Sequence, residues 1–134
     1  MGPATQVVCA VIRNSHGAYL ATQRASGSFQ DLWEFPGGKV ESGESIEDAT
    51  SRELEEELAI QVTPVKVLLT NLIQLETKTL ELVFVETRIR SGTIQLKEHR
   101  AYRWLMPEDL KSVEWLPGDI PMVDRLTSEP HGGA

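Results

Sequence analysis

A glycine-rich run passes straight into a helix whose last turns are crowded with carboxylates, and no other stretch limits the chain as strongly. Residues 37–60 read GGKVESGESIEDATSRELEEELAI. Residues 46–58 hold no Gly or Pro and many strong helix formers, so a helix is expected over Ile46–Leu58. Ser45 is the expected N-cap, answered by Asp48 in a variant capping box. At about 100° per residue, Glu53, Glu56 and Glu57 share one face. Ile46 and Ala49 fall on that face earlier in the helix. A stripe that starts apolar and continues as carboxylates suits the wall of a cleft better than a core. Like charges at this spacing repel by roughly 0.2–0.5 kcal/mol per exposed pair, more when partly buried. A hard divalent cation, Mg²⁺ or Mn²⁺, offsets that repulsion and holds a phosphate chain. Arg52 sits within the cluster and can order one carboxylate through its planar fork. A bare E-x-x-E-E reads first as a solvated acidic face; the preceding glycines and Arg52 turn it toward a metal site.

The spacing also carries a resemblance. Gly38, five residues, Glu44, seven residues, then Arg52-Glu53-Leu54-Glu55-Glu56-Glu57-Leu58-Ala59-Ile60 resembles the Nudix box, G-x5-E-x7-R-E-U-x-E-E-x-G-U, with U aliphatic. One position departs: Ala59 stands where that family has Gly. A left-handed cap is common just past a helix. If φ is positive there, alanine is expected to cost about 1 kcal/mol while removing no side-chain chemistry.

With 134 residues, one domain spanning residues 1–134 is expected, large enough for a proper core. The formal net charge is −7. Such a field does not attract polyanions, so neither a DNA or RNA duplex nor a membrane surface is expected as a partner. Any phosphate chemistry would fall to a metal and to local arginines. Cys9 is the only cysteine and lies in an apolar run, so a buried thiol and a reducing, cytoplasmic setting are expected. No run reads as a signal peptide or a membrane span. His16, His99 and His131 show no metal-ligand spacing; His16 is expected in a turn and His131 in a frayed tail.

Along the chain, Gln6–Arg13 is apolar and β-branched and reads as a buried strand. Asn14–Gly17 is a turn cluster, and Ala18–Gln23 the return strand, ending at Arg24. Ala25–Asp31 is a loop. Leu32–Pro36 leads into Gly37 and Gly38, which let the backbone approach a ligand closely. Val62–Glu76 and Thr79–Arg90 read as strands with Thr77-Lys78 as a hairpin tip. After the Ser91-Gly92 turn and a polar run over Gln95–His99 comes a short strand, Ala101–Leu105. A short helix starts at Met106, with Pro107 in its first turn. Trp115–Asp119 is a turn, Ile120–Leu126 a last helix, and Ser128–Ala134 a disordered tail. Trp104 and Trp115 are expected in the core. The order of elements argues for a mixed sheet layered with helices.

The resemblance implies an α/β fold, the Nudix α/β/α sandwich with a mixed sheet. The run WEFPGGKVE looks most like the MutT-like branch, which cleaves nucleoside triphosphates. It further implies Mg²⁺-dependent (Mn²⁺ being possible) attack of water on a phosphoanhydride, with Glu56 and Glu57 as metal ligands, Glu53 as a ligand or general base, and the Gly37 carbonyl as a further ligand. Glu44 and Arg52 then support the box. Glu98 is a second base candidate, or else a solvated loop residue. Arg24 resembles the arginine that contacts the triphosphate, with a surface arginine as the alternative. Lys39 adds charge near Gly38 or is simply solvated. Phe35 is the expected wall of a base pocket, with Val8 and Leu82 as further wall candidates. Asp119 is either the N-cap of the last helix or a base reader; an ionised Asp only accepts hydrogen bonds and suits the exocyclic amine of cytosine or of an amino-bearing purine. The expected substrates are cytidine-type triphosphates or an oxidised guanine triphosphate such as 8-oxo-dGTP, handled by a monomer or homodimer in nucleotide-pool sanitation. The alternatives are a Nudix hydrolase of another nucleoside diphosphate derivative such as ADP-ribose, and a non-catalytic nucleotide-binding module. The intact set Glu53, Glu56 and Glu57 favours an enzyme.

Overall fold

The computed structural model describes residues 4–128. Its elements are β1 (Thr5–Ile12), β2 (Tyr19–Arg24), β3 (Trp33–Glu34), β4 (Gly37–Lys39), α1 (Ile46–Leu58), β5 (Gln61–Gln74), β6 (Thr79–Ser91), β7 (His99–Leu105) and α2 (Ile120–Ser128), with short 3-10 turns at Pro107–Ser112 and Pro117–Asp119. A mixed four-stranded sheet runs β4-β1-β6-β5, and a three-stranded antiparallel sheet runs β3-β2-β7.

The parallel pair β1 and β6 forms the centre of the mixed sheet. Strands buried on both faces read as continuous apolar runs, as Val7–Ile12 does. Alternation along β1 then divides the core. Val8, Ala10 and Ile12 pack toward Ala49, Leu54 and Leu58 of α1, whereas Cys9 and Val11 pack toward Met122, Val123 and Leu126 of α2. Helices thus cover both faces, the expected α/β/α layering. Trp115 is buried, but Trp104 is only half-buried at the edge of the cluster around α1.

The β1–β2 turn is held by Asn14, whose Oδ1 accepts from His16 N and Ala18 N. His16 is exposed in that turn. Leu75 N donates to Lys78 O at 2.8 Å, so the hairpin loop is Leu75–Lys78 and both β strands stop short of its tip. Ser128, read from sequence as tail, is the last residue of α2, its Oγ bonded to Arg125 O at 3.1 Å. His131 and the rest of the expected tail lie outside the described residues.

Helix α1 has the expected bounds. Ser45 Oγ accepts from Asp48 N at 3.0 Å. At the other end Ala59 adopts φ 60°, ψ 33°, and its N–H caps Glu55 O. The left-handed position that favours glycine is therefore occupied by alanine. Ala59→Gly is expected to stabilise the fold by about 1 kcal/mol, a rise of about 4 °C in melting temperature. A melting curve that does not move would place the strain elsewhere.

Candidate functional site

The register of the sheets gathers the site. Pairing of Cys9 with Gly37 and Val8 with Gly38 lays the glycine strand against β1. A Cβ on Gly37 would lie 1.8 Å from Val8 O, and one on Gly38 only 2.4 Å from the Glu53 carboxylate. The two glycines therefore let β4 sit between the central strand and the acidic helix. The β2–β7 pairing carries a bulge at Gln23/Arg24 and sets Arg24 opposite His99. Beside them β3 supplies Glu34.

These elements enclose a cleft of about 450 Å³ lined by Val7, Val8, Phe35, Leu80 and Leu82 on its apolar side and by Arg24, Glu34, Glu57, Glu98, His99 and Asp119 among its polar groups. Gly37 and Gly38 also line it. Phe35 is nearly all core, 4.7 Å from the Trp115 ring and 6.0 Å edge-on from Phe84 by centroids, so it forms a rigid wall. Lys39 does not join the cleft lining; it is exposed, and its contribution to the site is a carbonyl accepting from Arg52 Nη2 at 2.9 Å. Alternation explains this: Gly38 faces Glu53, so its neighbour faces away.

The acidic helix is organised by Arg52. Its fork takes both oxygens of Glu44, at 2.6 and 2.9 Å, while Nη1 reaches Glu53 at 2.9 Å and Glu56 at 3.3 Å. The Arg52 bonds, together with the Glu41 N–H, hold Glu44 well below the usual carboxylate range. Glu44 and Arg52 thus brace the loop and helix that flank the cleft. Glu56 is more than half exposed. Glu57 faces inward at 7% exposure. Burial first, then a hydrogen bond with Glu53, then the charges of Glu53, Glu98 and Glu34, push its carboxyl up to about 10. Glu98 is exposed at the cleft lining.

The donor set fits a hard cation. Among the described residues, two buried side-chain polar atoms lack a hydrogen-bond partner, Glu57 Oε1 and His99 Nδ1, and both belong to the cleft. An orphaned carboxylate oxygen among like charges is what a divalent ion satisfies. No three metal-ligating side chains are already gathered around one point among the described residues. Arg52 engages one oxygen each of Glu53 and Glu56, which leaves the other oxygen of each for a cation.

Asp119 does not behave as a simple helix cap. It is 3% exposed, and its Oδ2 accepts from Phe35 N at 2.9 Å. Burial pushes its carboxyl up to about 8; the Phe35 N–H opposes this, Glu34 adds to it and Arg24 opposes it. In its protonated form, which burial favours, this carboxyl donates as well as accepts. The acceptor-only behaviour expected from sequence is that of the ionised form, which the Phe35 N–H favours and burial opposes.

Two cleft residues escaped the sequence reading. Glu34 accepts from Arg24 Nη1 at 3.1 Å through Oε1 and is joined to His99 Nε2 at 2.9 Å through Oε2. Only the polar letters of Glu34, inside an otherwise apolar run, and of His99, directly after Glu98, hinted at them.

Comparisons with known proteins agree with this architecture. The NUDIX domain family matches residues 3–126. A CTP pyrophosphohydrolase of Escherichia coli is 34% identical over 119 residues, covering 89% of this chain and 88% of that protein. An 8-oxo-dGTP diphosphatase of Haemophilus influenzae is 32% identical over 127 residues, covering 94% of this chain and 93% of that protein. The solution structure of the E. coli ORF135 protein superposes with a TM-score of 0.80 at 35% identity, covering 92% of this chain and 91% of that one.

Proposed function

Because the chain belongs to the Nudix hydrolase family, we propose that it hydrolyses nucleoside triphosphates to monophosphate and pyrophosphate, with cytidine-type triphosphates or an oxidised guanine triphosphate such as 8-oxo-dGTP as substrate. The observation that carries this is the union, in one cleft, of an apolar wall with a buried hydrogen-bonding carboxyl and of the inward-facing acid of α1. A base fits against Phe35 and Leu82, where Asp119 reads its edge. Arg24 meets the phosphates through its guanidinium. Glu53 or Glu98 takes the proton of the attacking water. Glu57, with Glu53, Glu56 and the Gly37 carbonyl, would hold Mg²⁺ or Mn²⁺, which when bound neutralises phosphate charge and makes water a better nucleophile. The relatives named for CTP and for 8-oxo-dGTP support the substrate class. In its protonated form Asp119 suits either the amine of cytosine or the mixed edge of an oxidised purine. Among the described residues no helix is long and apolar enough to cross a membrane. With the lone Cys9 buried, we place the protein in the cytoplasm as a monomer or homodimer.

Purified protein with Mg²⁺ and a panel of CTP, dCTP, 5-methyl-dCTP, 8-oxo-dGTP, dGTP and dTTP tests this, with monophosphate and pyrophosphate measured and a chelator control. Turnover led by the cytidine compounds or by 8-oxo-dGTP is expected, and Asp119→Ala is expected to change the order of preference more than the best rate. Cleavage of no member of the panel would overturn this reading in favour of another nucleoside diphosphate derivative such as ADP-ribose, and then of a non-catalytic nucleotide-binding module.

A further inference from the structure

The cleft is proposed to take a polyanion, yet among the described residues its lining carries four acids, Glu34, Glu57, Glu98 and Asp119, against a single arginine, Arg24, and no lysine. How that arginine is presented is therefore critical. Arg24 donates from Nε to Ser28 O at 3.0 Å and from Nη1 to Glu34 Oε1 at 3.1 Å. Where Glu34 points thus decides how much of the guanidinium a ligand can reach. A carboxylate with both oxygens free takes an arginine through two parallel bonds. Glu34 does not, because His99 Nε2 occupies Oε2 at 2.9 Å.

The placement of His99 is enforced. Its side chain is 5% exposed, and the Arg24–His99 pairing across the β2–β7 bulge puts it beside Glu34. The ring makes no hydrogen bond through Nδ1, and Glu57 Oε1, 3.9 Å from Nε2, is too far for a second bond there. Its hydrogen bonding within the described residues is directed at Glu34.

We propose that His99 is a positioning residue: by occupying Glu34 Oε2 it restricts Glu34 to a one-oxygen hold on Arg24 and leaves the rest of the guanidinium to the phosphate chain. This role rests on the triphosphatase function proposed above and specifies how its cleft presents positive charge. Without His99, the half-buried Glu34 oxygen loses its donor and turns to the nearest one, Arg24. The acid then competes with the ligand.

The test compares His99→Ala, His99→Gln, Glu34→Gln and the double variant His99→Ala/Glu34→Gln with the wild type. For a triphosphate that the wild type cleaves, kcat and KM are measured separately, with equilibrium binding of the same nucleotide in chelator and a melting curve for each protein. His99→Ala is expected to raise KM and the chelator-state Kd by roughly 10-fold, with a smaller change in kcat. His99→Gln, whose amide N–H reaches Glu34, is expected to recover most of that. In the Glu34→Gln background the same His99→Ala change is expected to cost less than about 3-fold, because the competing charge is gone. Equal costs in both backgrounds, a loss confined to kcat, or a lowered melting temperature with unchanged KM would each overturn the role. If His99→Ala does not fold, Glu34→Gln decides: binding as tight as the wild type or tighter supports competition for Arg24, and weakening by about 10-fold or more refutes it. A wild type that cleaves no triphosphate refutes the function itself, a result distinct from all of these.

Discussion

Glu57→Gln is expected to lower turnover by about 10²–10⁴-fold without unfolding the protein. The two halves of that expectation come from one fact. Glu57 is a buried acid with an unpartnered oxygen, surrounded by Glu53, Glu98 and Glu34. Such a group serves a cation better than it serves a core. Its carboxyl is raised from 4.5 to about 10, so the folded state binds its proton more tightly than the unfolded chain. The stability it contributes is then fully present below pH 4.5 and is lost as pH rises through about 10. Glutamine keeps the shape and cannot ionise. In chelator, the variant should therefore gain on the wild type as pH rises from 5 to 9, read as the difference in melting temperature. Adding Mg²⁺ should raise the wild-type melting temperature and leave the variant nearly unmoved. Full turnover in the variant would remove Glu57 from the metal set.

The second large effect is structural. Gly37→Ala is expected to cost on the order of 4 kcal/mol, because its new Cβ would lie 1.8 Å from Val8 O and 2.7 Å from Val8 C. Both obstacles are backbone of the central strand and cannot swing aside. The β1–β4 ladder must open, which a denaturation midpoint will register. Gly38→Ala is the informative contrast. Its Cβ meets the Glu53 carboxyl group at 2.4–2.6 Å, the far end of a flexible side chain. There the fold should survive and turnover should fall, since the displaced group is the one proposed above as a ligand or base. If the two variants lose stability equally, the close approach of β4 to β1 is not what those glycines serve.

The contrast between neighbouring glycines also shows what sequence could and could not reveal. Helix α1 was legible to the residue because its propensity, its cap and its carboxylate spacing are all local. The long strands β1, β5 and β6, whose apolar content extends over many residues, were legible to within two residues at their ends. The two- and three-residue strands β3 and β4 were not, since a run that short holding Gly and Pro has no period to detect. Lys39 looked like a site residue from adjacency to Gly38, and only the pleat of β4 sends it outward. Glu34 and His99 are 65 positions apart, and nothing in either neighbourhood announces the other. Asp119 shows the same limit in electrostatic form: its letter says carboxylate, and only its burial, invisible in the sequence, pushes it toward the acid.

The parallel pairing of β1 with β6 has a consequence for how the molecule comes into being. Thr5 lies opposite Leu80, and Asp119 closes on Phe35 from 84 positions away. Contacts so distant in sequence are slow to form, because chain entropy is spent before they repay it. As the chain leaves the ribosome, the first strand must wait for the sixth, and the acidic helix emerges before the strand that will bury its base. The carboxylates of α1 thus emerge well before there is a cleft to gather them. The cleft is complete only once the turn that carries Asp119 has been added.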